Sequence, residues 1–222
     1  MRVAIMQPTY LPWSGYFGLL QSVDLFVYLD DVQFDKRSWQ QRNQIKTANG
    51  AQWLTVPVLS KGKRTQKINQ VELDISSKFD AKHIKSIAHN YKKAPYFDET
   101  SESIFSAMNR TELNLAEYNI GIVETINKLL GITTKTICSS NLSSNGNKAD
   151  LLSSICVEVG ATEYISPPGS KSYLDETDAF DKVNLPVKYY KFKHPTYKQL
   201  YGDFKENMSI VDLLMNCGNK SL

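Results

Sequence analysis

The sequence predicts an α/β fold built on an open parallel sheet, and three observations carry that prediction. The chain opens as strand, loop, helix, strand: an apolar run at Arg2–Met6, the loop Gln7–Phe17, a helical segment, then a second apolar run at Asp24–Leu29. A strand–helix–strand run returns late in the chain, at Thr134–Cys138, Ala149–Gly160 and Thr162–Ile165. Such a crossover carries the chain back to the edge where the previous strand began, which makes the strands parallel. Third, the polar, aromatic-rich loops follow predicted strands, on the side of an open α/β sheet where ligands bind.

Val3–Met6 is short and apolar enough for a buried parallel strand. Gly15–Gln21 forms the first helix, with Phe17, Leu19 and Leu20 toward the sheet and Ser14 as its cap. Asp30–Gly50 reads as a long polar loop. Gln52–Leu59 is a strand with an edge-type Pro57, and Ser60–Lys67 is a basic mobile turn. Ile68–Ile75 alternates and is expected to pair with 52–59 as a hairpin. From Lys78, apolar and ring residues recur at intervals of four (Phe79, His83, Ile87, Tyr91), and Pro95 ends that helix. Phe97–Arg110 and Leu113–Leu130 are two more helices, the second stopped by Gly131. After the late strand–helix–strand run come the loop Ser166–Tyr173, a short helix near Glu176–Lys182, a strand at Val187–Phe192 and a closing helix at Ile210–Asn216. The expected organisation is one domain, 1–222, with an α/β core at 1–58 and 132–222. A hairpin plus helical insertion fills 59–131.

Composition bounds the function. The chain has 222 residues, 41% apolar and 22% charged, as in ordinary globular proteins. A net charge of +3 is too mild to diagnose nucleic-acid binding and is compatible with an anionic ligand such as a nucleotide. Three widely spaced cysteines suggest neither a disulfide framework nor a thiolate metal site, and point to a reducing cytoplasm. No apolar run reaches the ~18 residues of a membrane span, and no signal peptide is expected. The three histidines lack metal-binding spacing, so no metal is expected.

Three loops hold the candidate site, and the parallel order predicts that they meet on one sheet edge. The first supplies Gln7, Tyr10, Trp13 and Tyr16 for substrate. Its Trp13-Ser14-Gly15-Tyr16 lies where nucleotidylyltransferases and class I aminoacyl-tRNA synthetases carry a His-x-Gly-His-type signature. There the glycine lets a nucleotide approach the helix start; here aromatic rings replace both histidines. The second loop supplies Asp30 and Asp31 as base or ammonium anchor. Gln33, Lys36, Arg37, Trp39, Arg42, Asn43 and also Lys46 contact phosphate, base or sugar in this reading. The third supplies Ser170 and Lys171 in an anion cradle with Gly169. His194, beside Pro195, is a candidate general base. The cysteines read as packing residues.

QPTYLPWSGYF, LDDVQFDKRSWQQRNQIKT, WLTVPV, YISPPGSKSYLD and YKQLYGDF…SIVDLLMNCG together resemble the WbqC-like protein family, nearly end to end. The resemblance implies a Rossmann-like, nucleotide-binding α/β fold and a cytoplasmic enzyme of surface-polysaccharide (O-antigen) biosynthesis. It carries over no catalytic residues. The reaction expected is N-acyl or N-aminoacyl transfer to a nucleotide-linked amino sugar, such as a dTDP-amino sugar. An activated acyl or aminoacyl donor, such as an aminoacyl-tRNA, would supply the group, with ATP as the cofactor that activates it. A nucleotidyltransferase-like enzyme and a non-catalytic binding subunit are the alternatives.

Overall fold

The computed structural model describes residues 1–63, 65–109 and 114–222. In chain order its elements are β1 (Arg2–Met6), α1 (Ser14–Gln21), β2 (Leu25–Tyr28), β3 (Arg42–Thr47), β4 (Gly50–Thr55), α2 (Phe79–Tyr91) and α3 (Phe97–Met108). They continue with α4 (Leu115–Leu130), β5 (Lys135–Cys138), α5 (Ala149–Glu158), β6 (Glu163–Ser166), α6 (Lys171–Leu174), β7 (Val187–Tyr189) and α7 (Ile210–Cys217). The expected helix ends at Arg110 and Leu113, and Arg64 of the basic turn, lie outside the described residues. The chain forms two compact units. Unit 1 is Met1–Gln7, Gly18–Asp31 and Thr133–Lys193; unit 2 is Pro8–Phe17, Val32–Ile132 and His194–Leu222.

Unit 1 is the predicted sheet, five parallel strands in the order β5-β2-β1-β6-β7. The chain steps outward from β1 to β5, then returns to the other side of β1 with β6. This is a Rossmann-like order, and strand direction of travel reverses between β1 and β6. Val3, Ile5 and Val27 pack with Leu152, Ile155 and Cys156 of α5 and with Tyr164, Phe180 and Leu185. Each fully buried aliphatic there contributes about 1.5–3 kcal/mol over exposure.

Unit 2 combines helices with an antiparallel hairpin. α4 is capped by Asn114, whose side chain accepts from the Glu117 N–H at 2.9 Å, and ends on Gly131 at φ 68°. The hairpin differs from the expectation. β4 pairs with β3, from Arg42↔Thr55 to Thr47↔Gly50, rather than with 68–75. Asn49-Gly50 is a tight-turn signal inside the stretch expected to be loop, and Gly50 takes a φ of 100° that side chains resist. Ile68–Gln70 and Ile75–Ser77 are 3-10 turns instead, with one bridge, Val58↔Leu73, left of the expected pairing.

Candidate functional site

Parallel order brings the ends of β1, β2, β5, β6 and β7 to one edge of unit 1, its carboxyl edge. Gln7 follows β1 there and is exposed. Asp30 follows β2 and is buried, and its carboxylate is heavily engaged. Oδ1 accepts from the Ser140 N–H (3.0 Å) and Ser139 Oγ (3.1 Å), and Oδ2 from Ser140 Oγ (2.7 Å). Half-buried Asp31 also accepts from Ser139 Oγ. Since Ser139 has one proton for two carboxylates, the pair is bound into a single unit with the turn after β5.

The third loop is more helical than expected. Pro168–Ser170 is a 3-10 turn running into α6, where the prediction placed the helix later. The Ser170 N–H donates to the Pro167 carbonyl at 3.1 Å. Lys171 is therefore not the free cation of an open cradle. Its Nζ lies 2.6 Å from Asp175 and 5.0 Å over the Tyr189 ring, and the Tyr189 hydroxyl donates to Asp175 at 2.7 Å. The Lys171 and Tyr189 donors hold the Asp175 carboxyl below its usual range. The Tyr189 hydroxyl is pushed up to about 12 by desolvation and by Asp175. In the same unit, burial pushes the Cys156 thiol up to about 12, as suits a packing residue.

In unit 2 the loop Pro8–Phe17 is pinned rather than open. Asn119 donates to the carbonyls of Pro8 (3.2 Å) and Gln40 (2.7 Å). Asn43 donates to those of Tyr10 (3.3 Å) and Leu11 (2.8 Å), across a Leu11 held at φ 42°. Tyr10 is wholly buried, 2.8 Å from His83 Nδ1 and stacked on Tyr118. Tyr16 is buried too. Of the residues expected to contact substrate, Tyr10 and Tyr16 lie in the core and Asn43 braces the loop. Gly15 also has a different reason from the expected one. A Cβ there would stand 2.1–2.6 Å from the Trp13 indole, so the room over the helix start is taken by Trp13, not left for a nucleotide.

His194 is correspondingly committed. Its ring stacks on Trp13 and meets Phe204 edge-on; Nδ1 lies 2.9 Å from the Pro195 carbonyl, which can only accept, and Nε2 accepts from the Asn207 N–H at 3.2 Å. Both nitrogens are used in holding the tail, so acting as the expected base would require one of these contacts to break. Lys46, expected to hold a phosphate, is buried and donates to the carbonyls of Gly202 and Asp203. Near it, buried Asp212 accepts from Tyr91 (2.8 Å), Tyr197 (2.7 Å) and Gln199 (2.7 Å). Burial raises the Asp212 carboxyl, against the pull of those donors and of Lys46.

The second loop keeps its expected surface. Gln33, Lys36, Arg37 and Trp39 are exposed, and Arg42 is half-buried. Its backbone is built from inside: buried Gln40 accepts from the Asp35 N–H and buried Gln41 from the Arg37 N–H, both at 3.0 Å, with Arg37 at φ 66°. A shallow hollow lined by Glu102, Ser103, Ser106, Ala107 and Thr125 includes none of the candidate residues. Sequence reasoning missed Ser139, Ser140, Asp175 and Tyr189. The first two directly follow a strand, the same signal that singled out Asp30 and Asp31. Gln40, Gln41 and Asn119 left no signal, since burial of an amide is invisible in its letter.

Among the described residues, no group of three or more His, Cys, Asp or Glu is arranged to hold a metal ion, and no helix is long and apolar enough to cross a membrane.

The class these features define is a Rossmann-like α/β protein with a polar carboxyl edge. The chain belongs to the WbqC-like protein family, whose model matches residues 7–222. It is 37% identical over 219 residues to an uncharacterised protein of Mycobacterium tuberculosis, Rv1507c, an alignment spanning 98% of this chain and 94% of that protein. No solved structure matches the chain significantly.

Proposed function

We propose that the chain is a cytoplasmic transferase acting on a nucleotide-linked amino sugar in surface-polysaccharide synthesis, by N-acyl or N-aminoacyl transfer. The observation that supports it is the carboxyl edge of unit 1. Reversal of strand order between β1 and β6 opens the position where such sheets hold nucleotides, and the Asp30–Asp31 pair stands on that edge. In this reading the amino sugar arrives as an ammonium and Asp31 accepts one of its protons. The freed amine attacks the acyl carbon of an activated donor; a C–N bond forms, the bond to the donor's leaving group breaks, and the leaving group takes the second proton the nitrogen loses. Asp30, held by Ser139 and Ser140, fixes Asp31. A phosphate here would draw Lys171 off Asp175, with Ser170 beside it and Gln7 on the sugar.

The test is incubation with dTDP-amino sugars and, in turn, ATP with amino acids, acyl-coenzyme A or charged tRNA, read by mass spectrometry. A mass gain of one acyl or aminoacyl group, lost in Asp31→Asn at unchanged melting temperature, supports transfer. No gain across the panel overturns it. Nucleotidyl transfer is disfavoured by the Trp13 indole over Gly15 and by the absent histidine pair. A non-catalytic binding subunit is the second reading, favoured by the full engagement of Asp30; it requires sugar-nucleotide binding without turnover.

A further inference from the structure

Residues 33–67 carry eight Lys and Arg against a single Asp, and two of the chain's three tryptophans. The whole chain is only +3. Positive charge is thus concentrated in this stretch of unit 2, and the rest of the chain is net acidic. The fold gathers the stretch into one region. The Phe34 N–H donates to the Gln66 carbonyl and the Ile68 N–H to that of Val32, both at 3.0 Å, and Gln33 bridges to Lys67. The basic turn therefore lies against the loop that carries Lys36 and Arg37.

Trp39 and Trp53 form a pair here, ring centroids 5.5 Å apart, yet remain 53% and 40% exposed. The Arg42 guanidinium sits 4.2 Å over the Trp53 ring, and its buried Nε has no hydrogen-bond partner among the described residues. Two large apolar rings left in water beside an incompletely bonded arginine are unusual for a surface with only a packing role. Acid is scarce: Asp35 is the stretch's one carboxylate, and Glu72 offsets Lys63 at 3.3 Å. Exposed indoles with Arg42 over one of them, in a stretch rich in Lys and Arg, fit unpaired bases on a phosphate backbone. A duplex hides its base faces, and an acidic peptide offers nothing for the indoles.

We propose that this face of unit 2 binds single-stranded nucleic acid, Trp39 and Trp53 stacking on bases while Lys36, Arg37, Arg42 and Lys61 meet phosphates. The proposal is independent of the transfer reaction, so an Asp31→Asn protein is expected to bind a strand as the wild type does.

The full chain is titrated into a fluorescein-labelled single-stranded RNA of about 12 nucleotides, near the site size of such surfaces, and anisotropy is followed at several salt concentrations. Saturable binding that weakens steeply with salt is expected. Trp39→Ala and Trp53→Ala, both at exposed positions and checked for an unchanged melting temperature, should each weaken it by roughly tenfold. Lys36→Glu with Lys61→Glu should weaken it and flatten the salt dependence. Absence of binding at low salt overturns the proposal. So does equal affinity for the corresponding duplex, for a mononucleotide or for polyglutamate, or indifference to both tryptophan substitutions.

Discussion

Acid should loosen unit 2 through His83. The ring is 9% exposed, with Phe79 packed edge-on and the Tyr10 hydroxyl 2.8 Å from Nδ1. Burial lowers its pKa from 6.5 to about 4; Asp80 opposes the shift and Lys82 adds to it. A base depressed in the folded state takes up its proton first in the unfolded chain. Its contribution is therefore intact above pH 6.5 and is lost as pH falls from there toward 4. Working that pair of values from pH 7 to pH 5 gives a loss of about 2 kcal/mol attributable to this one ring. The perturbation is His83→Gln, whose amide oxygen can still accept from Tyr10 but does not titrate. Urea unfolding of both proteins at pH 7 and pH 5 isolates the term, since every other titratable group is common to the two. The wild type should lose about 2 kcal/mol more than the variant between these pH values. Equal losses, or a His83 ring that titrates by NMR near 6.5, would refute the reasoning.

Three further outcomes follow from the packing. Gly15→Ala places a Cβ 2.1–2.6 Å from the Trp13 indole and should cost about 2–3 kcal/mol in denaturant unfolding. In a Trp13→Ala background the same change should cost less than about 0.5 kcal/mol. Asn43→Ala strips the donor from the Tyr10 and Leu11 carbonyls in a buried, left-handed stretch; a loss of about 2–3 kcal/mol is expected from the same measurement. Asp212→Ala leaves two tyrosine hydroxyls and the Gln199 amide without their shared acceptor and removes a negative charge that attracts Lys46. It should cost about 3–5 kcal/mol, with Asp212→Asn clearly milder by melting temperature.

The parallel sheet was legible because its signal is local and repeated. Short apolar runs separated by amphipathic helices admit few topologies, and Val3, Ile5 and Val27 lie in the core as their pattern requires. β3 was not legible, because RNQIKT holds a single apolar residue, Ile45, inside a long polar stretch, and its partner strand is set by the Asn49-Gly50 turn rather than by hydrophobicity. For the site, position could be read and availability could not. Asp30 and Asp31 stand on the expected edge, but nothing in their letters announces Ser139 and Ser140, which come from a turn more than a hundred residues away. His194 and Lys46 look like chemistry in a sequence and prove to be fasteners, because a polar group that folding buries must be satisfied by its neighbours.

The aromatic excess divides along the same line. Six of the twelve tyrosines (Tyr10, Tyr16, Tyr28, Tyr91, Tyr118, Tyr164) are at most 2% exposed, so their number in the sequence reports packing with a hydrogen-bonding tip rather than a ligand. Tyr10 and Tyr16 sit in the loop whose prolines, glycine and rings first suggested a nucleotide site. That loop instead spends its residues on itself: Trp13 on Gly15, Tyr10 on His83, Leu11 strained under Asn43. A loop so constrained is a frame, and a frame keeps its shape whether or not a ligand is present. The proposed ligand contacts lie elsewhere: the half-buried Asp31 on unit 1's carboxyl edge, and in unit 2 the partly exposed rings of Trp39 and Trp53, the latter under Arg42. These two places differ in chemistry, an anion suited to an amine and cations with π faces suited to bases and phosphates. Each therefore calls for its own assay, and a result at one does not decide the other.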